Sequence, residues 1–362
     1  MRIPLLDLQA QYLTIKEEIN QAIQSVLDSS VYILGTEGKE LEKEIAAFSG
    51  TEHAVAVANG TEALVLTLKA LGIGPGDEVI TTPFTFFATA ETIALVGATP
   101  VFVDIDPITL NMDLTQLAEK ITAKTKAIMP VHIFGQMVDV EKIMEIAAQH
   151  DLKVIEDAAQ AIGAEYRGKK AGSIGHAGTF SFFPTKNLGA YGDAGMIVTN
   201  DQELAAHLRM LRFHGCQTKY YHDEIGYNSR LDELQAAILR VKLRYLNGWN
   251  EARREKAKFY DQLLADVVQV PGRDPQALPV YHLYVLRTKE RSVLMERLKA
   301  DGIANAIYYP LPLHLQKAFR SLGYKAGDFP VAETACEQAL AIPCYPELSF
   351  EQQREIAAII KG

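Results

Sequence analysis

The chain has 362 residues, 48% of them apolar, and carries a formal net charge of −9. Its basic residues are dispersed, which argues against a nucleic-acid footprint or an anionic membrane surface, and no run approaches the roughly 18 apolar residues of a membrane span. Cys216, Cys336 and Cys344 are odd in number and far apart, which argues against a disulfide scaffold or a zinc site and fits a cytoplasmic protein. The N-terminus carries Asp7 and has no sustained apolar core, so no signal peptide is expected.

In chain order, apolar spacing predicts a helix over Asp7 to Leu27, a break at Val31-Tyr-Ile-Leu-Gly35 and a second helix from Glu37 to Phe48. Strands are expected at Ala54–Ala58, Glu78–Thr82, Pro100–Asp104, Ala127–Val131 and Lys153–Glu156. Helices are expected between them, at Glu62–Leu71, Thr85–Val96, Leu114–Ile121 and Val140–Gln149. Short apolar runs alternating with helices predict an α/β fold whose mostly parallel sheet is covered on both faces. Sites in such sheets lie at the strand C-termini.

A further strand (Met196–Thr199), a helix (Gln202–Arg212) and a polar, aromatic loop (His214–Tyr227) follow. The spacing from Leu231 to Leu264 is helical and interrupted near Asn247-Gly248, where we place a domain boundary. Residues 1–247 form the expected large domain with its N-terminal helices. Residues 248–362 form a smaller C-terminal α+β domain, with strands at Tyr281–Arg287 and Ala306–Tyr309 and a last helix from Phe350.

Three features carry chemistry. In Thr179-Phe-Ser-Phe-Phe-Pro-Thr-Lys186, an apolar run breaks at Pro184 and delivers a lysine beside aromatics and glycines. Desolvation lowers a lysine's pKa, as an amine nucleophile requires; the plainer reading is a solvated loop lysine. In Ala58-Asn-Gly-Thr-Glu-Ala63, glycine and threonine open a helix and leave N–H groups free for a single phosphate. Simple N-capping by Thr61 is the alternative. Asp157 ends a buried strand and needs a cation to stay ionised, either a pyridinium nitrogen or a lysine. Phosphate turn, strand-end carboxylate and loop lysine, in that order, fit pyridoxal phosphate (PLP).

These motifs, with Glu156-Asp-Ala-Ala-Gln160, Gly226-Tyr-Asn-Ser-Arg-Leu231 and Tyr309-Pro-Leu-Pro-Leu-His314, resemble the DegT–DnrJ–StrS family of nucleotide-sugar aminotransferases over essentially the whole chain. The resemblance implies a fold-type-I, aspartate-aminotransferase-like architecture and a homodimer with shared active sites. It implies that Lys186 carries the cofactor and shuttles protons, Asp157 pairs the ring nitrogen, Gln160 contacts the ring hydroxyl and Phe86 stacks on the ring. Gly60, Thr61 and Ser181 would hold the phosphate, joined by Asn228 of the other subunit. Tyr32, Thr185, Arg230, Tyr308, Tyr309 and His314 would meet the nucleotide-sugar, packing being the alternative for the tyrosines.

Gly192-Asp-Ala-Gly195 stands where many members have Gly-Glu-Gly-Gly, a departure expected to be tolerated. The sequence is closer to the branch aminating C3 than to the C4 branch. The implied reaction moves an amino group from glutamate to a dTDP-linked 3-keto-6-deoxyhexose. Its rivals are a UDP-linked 2-acetamido-3-keto-glucuronate substrate and a non-catalytic PLP-binding sensor.

Overall fold

The computed structural model describes residues 2–362. The core is a seven-stranded sheet made of β1 (His53–Val57), β2 (Glu78–Thr81), β3 (Thr99–Phe102), β4 (Thr125–Ile128), β5 (Lys153–Asp157), β6 (Ala177–Ser181) and β7 (Gly195–Thr199). Their spatial order is β1-β7-β6-β5-β4-β2-β3, and β7 alone runs antiparallel to its neighbours. Most strand residues are buried, as expected of a sheet covered on both faces. β5 and β6 lie side by side and parallel, with Asp157 opposite Thr179. Their C-terminal ends therefore open at the same edge of the sheet.

The N-terminal helical stretch divides in two, α1 (Leu8–Thr14) and α2 (Lys16–Ser29), where a single helix is expected from the periodicity. The Thr14 hydroxyl donates back to Gln11 O at 2.7 Å, and Ile15 leaves helical geometry to bury its side chain. Then come α3 (Thr36–Ser49), α4 (Gly60–Ala70), α5 (Ala88–Leu95), α6 (Val140–Gln149) and α7 (Gln202–Leu211). The expected helix at Leu114–Ile121 is only a 3-10 turn, Ala118–Lys120. The Asp113 carboxylate captures the Thr115 N–H and hydroxyl and the Gln116 amide, which offers the backbone an alternative to a helical turn.

The expected break at Asn247-Gly248 falls earlier. α8 (Glu233–Leu243) ends at Arg244-Tyr245, and α9 (Leu246–Leu264) contains both Asn247 and Gly248 in its first turn. Glu18 of α2 holds Arg244 and Tyr245 at this corner. The loop expected at His214–Tyr227 contains a small hairpin, Cys216–Thr218 with Tyr221–His222.

A second core gathers α9, β8 (Tyr284–Arg287), α10 (Arg291–Ala300), β9 (Ala339–Ile342) and α12 (Phe350–Lys361), with α11 (Pro330–Gln338) packed nearby. β8 and β9 pair antiparallel. Ile3 bridges to Ile303 and packs into this core, so the start of the chain joins its C-terminal third. The strand expected at Ala306–Tyr309 is reduced to one bridge, Ala306 to Ala341. Pro310 and Pro312 follow and lack the N–H that a ladder requires.

Candidate active site

Three chain segments converge where β5 and β6 end. The first is the turn into α4. Asn59 caps that helix by accepting from Glu62 N at 2.8 Å, so the cap is Asn59 and not Thr61. The Gly60 and Thr61 N–H groups point out of the helix N-terminus, where an anion is favoured. A Cβ on Gly60 would stand 2.6 Å from Ser181 Cβ, so only glycine lets the turn close onto Ser181.

The second segment is the end of β5. The Asp157 carboxylate is 5% exposed and accepts from Thr89 Oγ1 at 2.8 Å and from Ala159 N at 3.2 Å. Burial pushes its pKa up, opposed by Thr89, Ala159 N–H and the Lys186 ammonium. Its neighbour Glu156 faces the other way, fully buried. Burial opposes the charge of Glu156, but His132 at 2.8 Å and the N–H groups of Gly172, Ile174 and Gly175 hold its pKa below the usual carboxylate value. His132 N in turn donates to Asp157 O at 3.1 Å, which ties this ionic node to the backbone of the site.

The third segment is the tight loop after β6. Lys186 N donates to Phe183 O at 2.8 Å, and a Cβ on Gly189 would collide with Pro184 O. Asn187 anchors the loop to Asn250 at 2.8 Å and to Val280 O at 2.9 Å, and Lys242 reaches Gly189 O at 2.5 Å. Burial lowers the Lys186 ammonium to about 8 against the pull of Asp157. Lys186 is partly buried on a cavity wall, which a freely solvated loop lysine would not be.

These segments line a cavity of about 940 Å³. Gly60, Thr61, Asp157, Gln160, Ser181 and Lys186 all face it, as do Phe86, Thr185, Tyr308 and Tyr309. Gln160 is held at both ends, accepting from Phe134 N at 2.7 Å and donating to Tyr309 OH at 3.0 Å. Asp193 also lines the cavity, while Ala194 is buried in the main core. The buried polar cradle suits PLP: a helix N-terminus and hydroxyls for its phosphate, a carboxylate for its nitrogen and a partly neutral lysine for its carbonyl.

Four of the expected site residues stand outside this cavity. His314 is buried, bonds Glu333 at 3.1 Å and packs on the Phe329 ring, away from the cavity lining. Tyr32 is 46% exposed on the apolar run Val31–Leu34. The Arg230 guanidinium lies 5.7 Å from the Phe213 ring centre. Asn228 is exposed, and Asp232 occupies the cap position of α8, so Asn228 does not cap that helix. His282, which no motif marks, does line the cavity, and its Nδ1 is sealed without a partner.

Comparison with known proteins decides the family. The DegT/DnrJ/EryC1/StrS aminotransferase family model matches residues 13–361. The chain belongs to this family. It is 54% identical over 98% of its length, and 97% of the relative's, to a "Pleiotropic regulatory protein" of Geobacillus stearothermophilus. It is 48% identical, over 99% and 97%, to a UDP-N-acetyl-3-dehydro-alpha-D-glucosamine 3-aminotransferase of Acidithiobacillus ferrooxidans. The crystal structure of S. venezuelae DesV in complex with a ketimine intermediate superposes with a TM-score of 0.97 at 42% identity, covering 99% of this chain and 97% of that one. As a member of the DegT/DnrJ/EryC1/StrS family, the chain is a PLP-dependent aminotransferase of fold type I.

Proposed function

We propose that this aminotransferase moves the amino group of glutamate to C3 of a keto-sugar linked to a nucleoside diphosphate. The observation that carries the reading is the placement of Lys186 and Asp157 on one cavity, with the Gly60-Thr61 turn and Ser181 at its edge. The 3-aminotransferase name of the Acidithiobacillus relative supports amination at C3. A dTDP-linked 3-keto-6-deoxyhexose and a UDP-linked 3-keto sugar both remain open as substrates. Residues 1–247 and 248–362 are proposed as the domains flanking the site.

Bound PLP supplies the electron sink that lets a proton leave the carbon bearing the amine. The residues do the rest. Gly60 N, Thr61 N and the Ser181 hydroxyl would hold the phosphate, and Phe86 would cover the ring. Asp157, ionised against its own burial by Thr89 and Ala159, would keep the ring nitrogen protonated. Lys186, with a pKa near 8, is about one-tenth neutral at pH 7 against less than roughly a thousandth for an ordinary lysine, and can take and return a proton at Nζ. Thr185, Tyr308 and Tyr309 line the cavity where the sugar would enter.

The same proposal makes the enzyme a cytoplasmic homodimer. Its three cysteines are buried and free. Val31, Tyr32, Ile33 and Leu34 form an exposed apolar run, a feature typical of interaction surfaces. Asn228, exposed and outside its own cavity, is then free to reach the partner's phosphate.

Borohydride treatment of the cofactor-loaded protein, followed by peptide mapping, should place the label on Lys186. Glutamate alone should then discharge the visible cofactor absorbance of untreated enzyme. A sensor, the reading suggested by the regulatory name of the Geobacillus relative, would bind cofactor and leave that absorbance unchanged. NMR of the product from each candidate sugar nucleotide would report the position of the new amine.

A further inference from the structure

A second cavity, of about 250 Å³, adjoins the first. The two share Thr185, His282, Leu283 and Tyr308. At about 30 Å³ per water, the side cavity has room for roughly eight waters, close to the bulk of a small dicarboxylate. Its charged wall is Arg253 of α9, which is only 3% exposed. Arg253 Nη1 donates to Tyr281 O at 3.1 Å, His282 O at 3.4 Å and Cys344 O at 2.7 Å. Its Nε is buried with no partner.

Among the described residues, no carboxylate forms an ion pair with Arg253. Glu347 acts on it only through the field, and Glu347 Oε2 is itself sealed without a partner. A buried guanidinium supported by carbonyls alone is poorly compensated, because buried charges are normally paired. Burial accordingly lowers its pKa. His282 stands between the two cavities and is held neutral by burial and by the charges of Lys186 and Arg253. A ligand there meets the Arg253 cation, and the residues shared by the two cavities open toward the larger one that Lys186 lines.

We propose that the side cavity is the subsite for a carboxylate of the amino donor, with Arg253 as its cationic partner. The inference rests on the aminotransferase reading above and identifies where that reaction's donor is recognised. An acid anchored at Arg253 would extend its amine past His282 toward Lys186, while the sugar nucleotide uses the larger cavity. A guanidinium–carboxylate contact in such a dry site is strong and geometrically selective.

The test is calorimetric titration of the cofactor-loaded enzyme with glutarate, a dicarboxylate with no amine to react. Wild-type enzyme should bind glutarate and should not bind its neutral diamide, glutaramide. Arg253→Gln, which keeps donors for the carbonyls, should weaken glutarate about tenfold or more. Leu6→Phe, which narrows the side cavity and leaves the Arg253 side chain in place, should weaken it similarly. UDP and dTDP affinity and the cofactor absorbance should stay at wild-type values in both variants. Equal glutarate affinity in the variants and wild type would overturn the subsite and leave Arg253 as a staple for three carbonyls. Should Arg253→Gln fail to fold, the wild-type titration still decides: no binding of glutarate, or equal binding of glutaramide, removes the proposal. Failure of wild type to react with glutamate would instead remove glutamate as the donor, the reading on which the subsite rests.

Discussion

Thr89 donates its hydroxyl to Asp157 Oδ2 at 2.8 Å, and Thr85 Oγ1 lies 3.0 Å behind it. The second threonine buttresses the first, so the donor is aimed before any cofactor arrives. Thr89 lies in the first turn of α5, which begins at Ala88. A carboxylate pushed up by burial is thus kept ionised by a hydrogen bond supplied from a different layer of the fold.

Thr89→Val removes that donor with little change of shape. Asp157 already titrates above its usual value, and losing a bond to its ionised form raises it further. A hydrogen bond to a charged group contributes about 1.5–3 kcal/mol, or about one to two pH units. The acidic limb of cofactor binding should therefore move to higher pH by that amount. Cofactor titrations between pH 5 and pH 8 would check it, and an unmoved limb would show that Thr89 is only packing.

Gly60→Ala should close the phosphate cup. The new methyl would stand 2.6 Å from Ser181 Cβ on the end of β6, so strand or helix must shift. Overpacking of this kind costs about 1–3 kcal/mol. A lowered Tm together with weaker binding of both PLP and inorganic phosphate is expected. Loss of Tm alone would place the strain elsewhere.

Lys186 makes the stability of the cofactor-free protein depend on pH. Its folded pKa, about 8, is depressed from 10.5 by burial, so the folded chain releases the proton earlier than the unfolded chain. Stability should therefore rise as pH increases from about 8 to 10.5, and the penalty for the buried ammonium should persist below pH 8. The penalty is at most about 3.4 kcal/mol. Lys186→Met should be more stable than wild type at pH 7, and the difference should shrink toward pH 10.5. Parallel denaturation curves at all pH values would contradict a buried amine.

The shared-site model predicts complementation. Lys186→Ala and Asn228→Ala homodimers should each be impaired, and mixed heterodimers should regain activity, because one of their two sites has both residues intact. The structure removes the simplest rival, since Asp232 takes the cap position of α8. Fully active Asn228→Ala homodimers, with no recovery in verified heterodimers, would end the model.

Glu156→Ala should be more damaging to the fold than any of these. It would strip the partner from His132 and from the N–H groups of Gly172, Ile174 and Gly175. Breaking a buried ionic node of this kind costs about 3–5 kcal/mol. A drop in Tm with or without cofactor is the expected readout.

The alternation of apolar runs and helices from Ala54 to Thr199 was enough to predict a mostly parallel sheet, because both patterns are local periods that the backbone itself imposes. Lys186, Asp157 and the Gly60-Thr61 turn were legible for a related reason: each follows directly from a strand end or helix start. Where local side-chain bonds compete with periodicity, as at Thr14 and Asp113, the sequence pattern overran the real helix, and at Tyr245 a bond to distant Glu18 holds the corner where the helical pattern breaks. His314 follows Tyr308 and Tyr309 closely in sequence, but only the tertiary structure shows that its side chain packs on Phe329 and bonds Glu333. His282 and Arg253 carry no local signal at all. They come from chain segments over sixty residues past Lys186, and only the packing of those segments against the Lys186 loop puts a histidine on the wall of its cavity and a buried cation in the cavity next to it. Local periods are written along the chain; the neighbours of a buried charge are decided by which distant surfaces close on it.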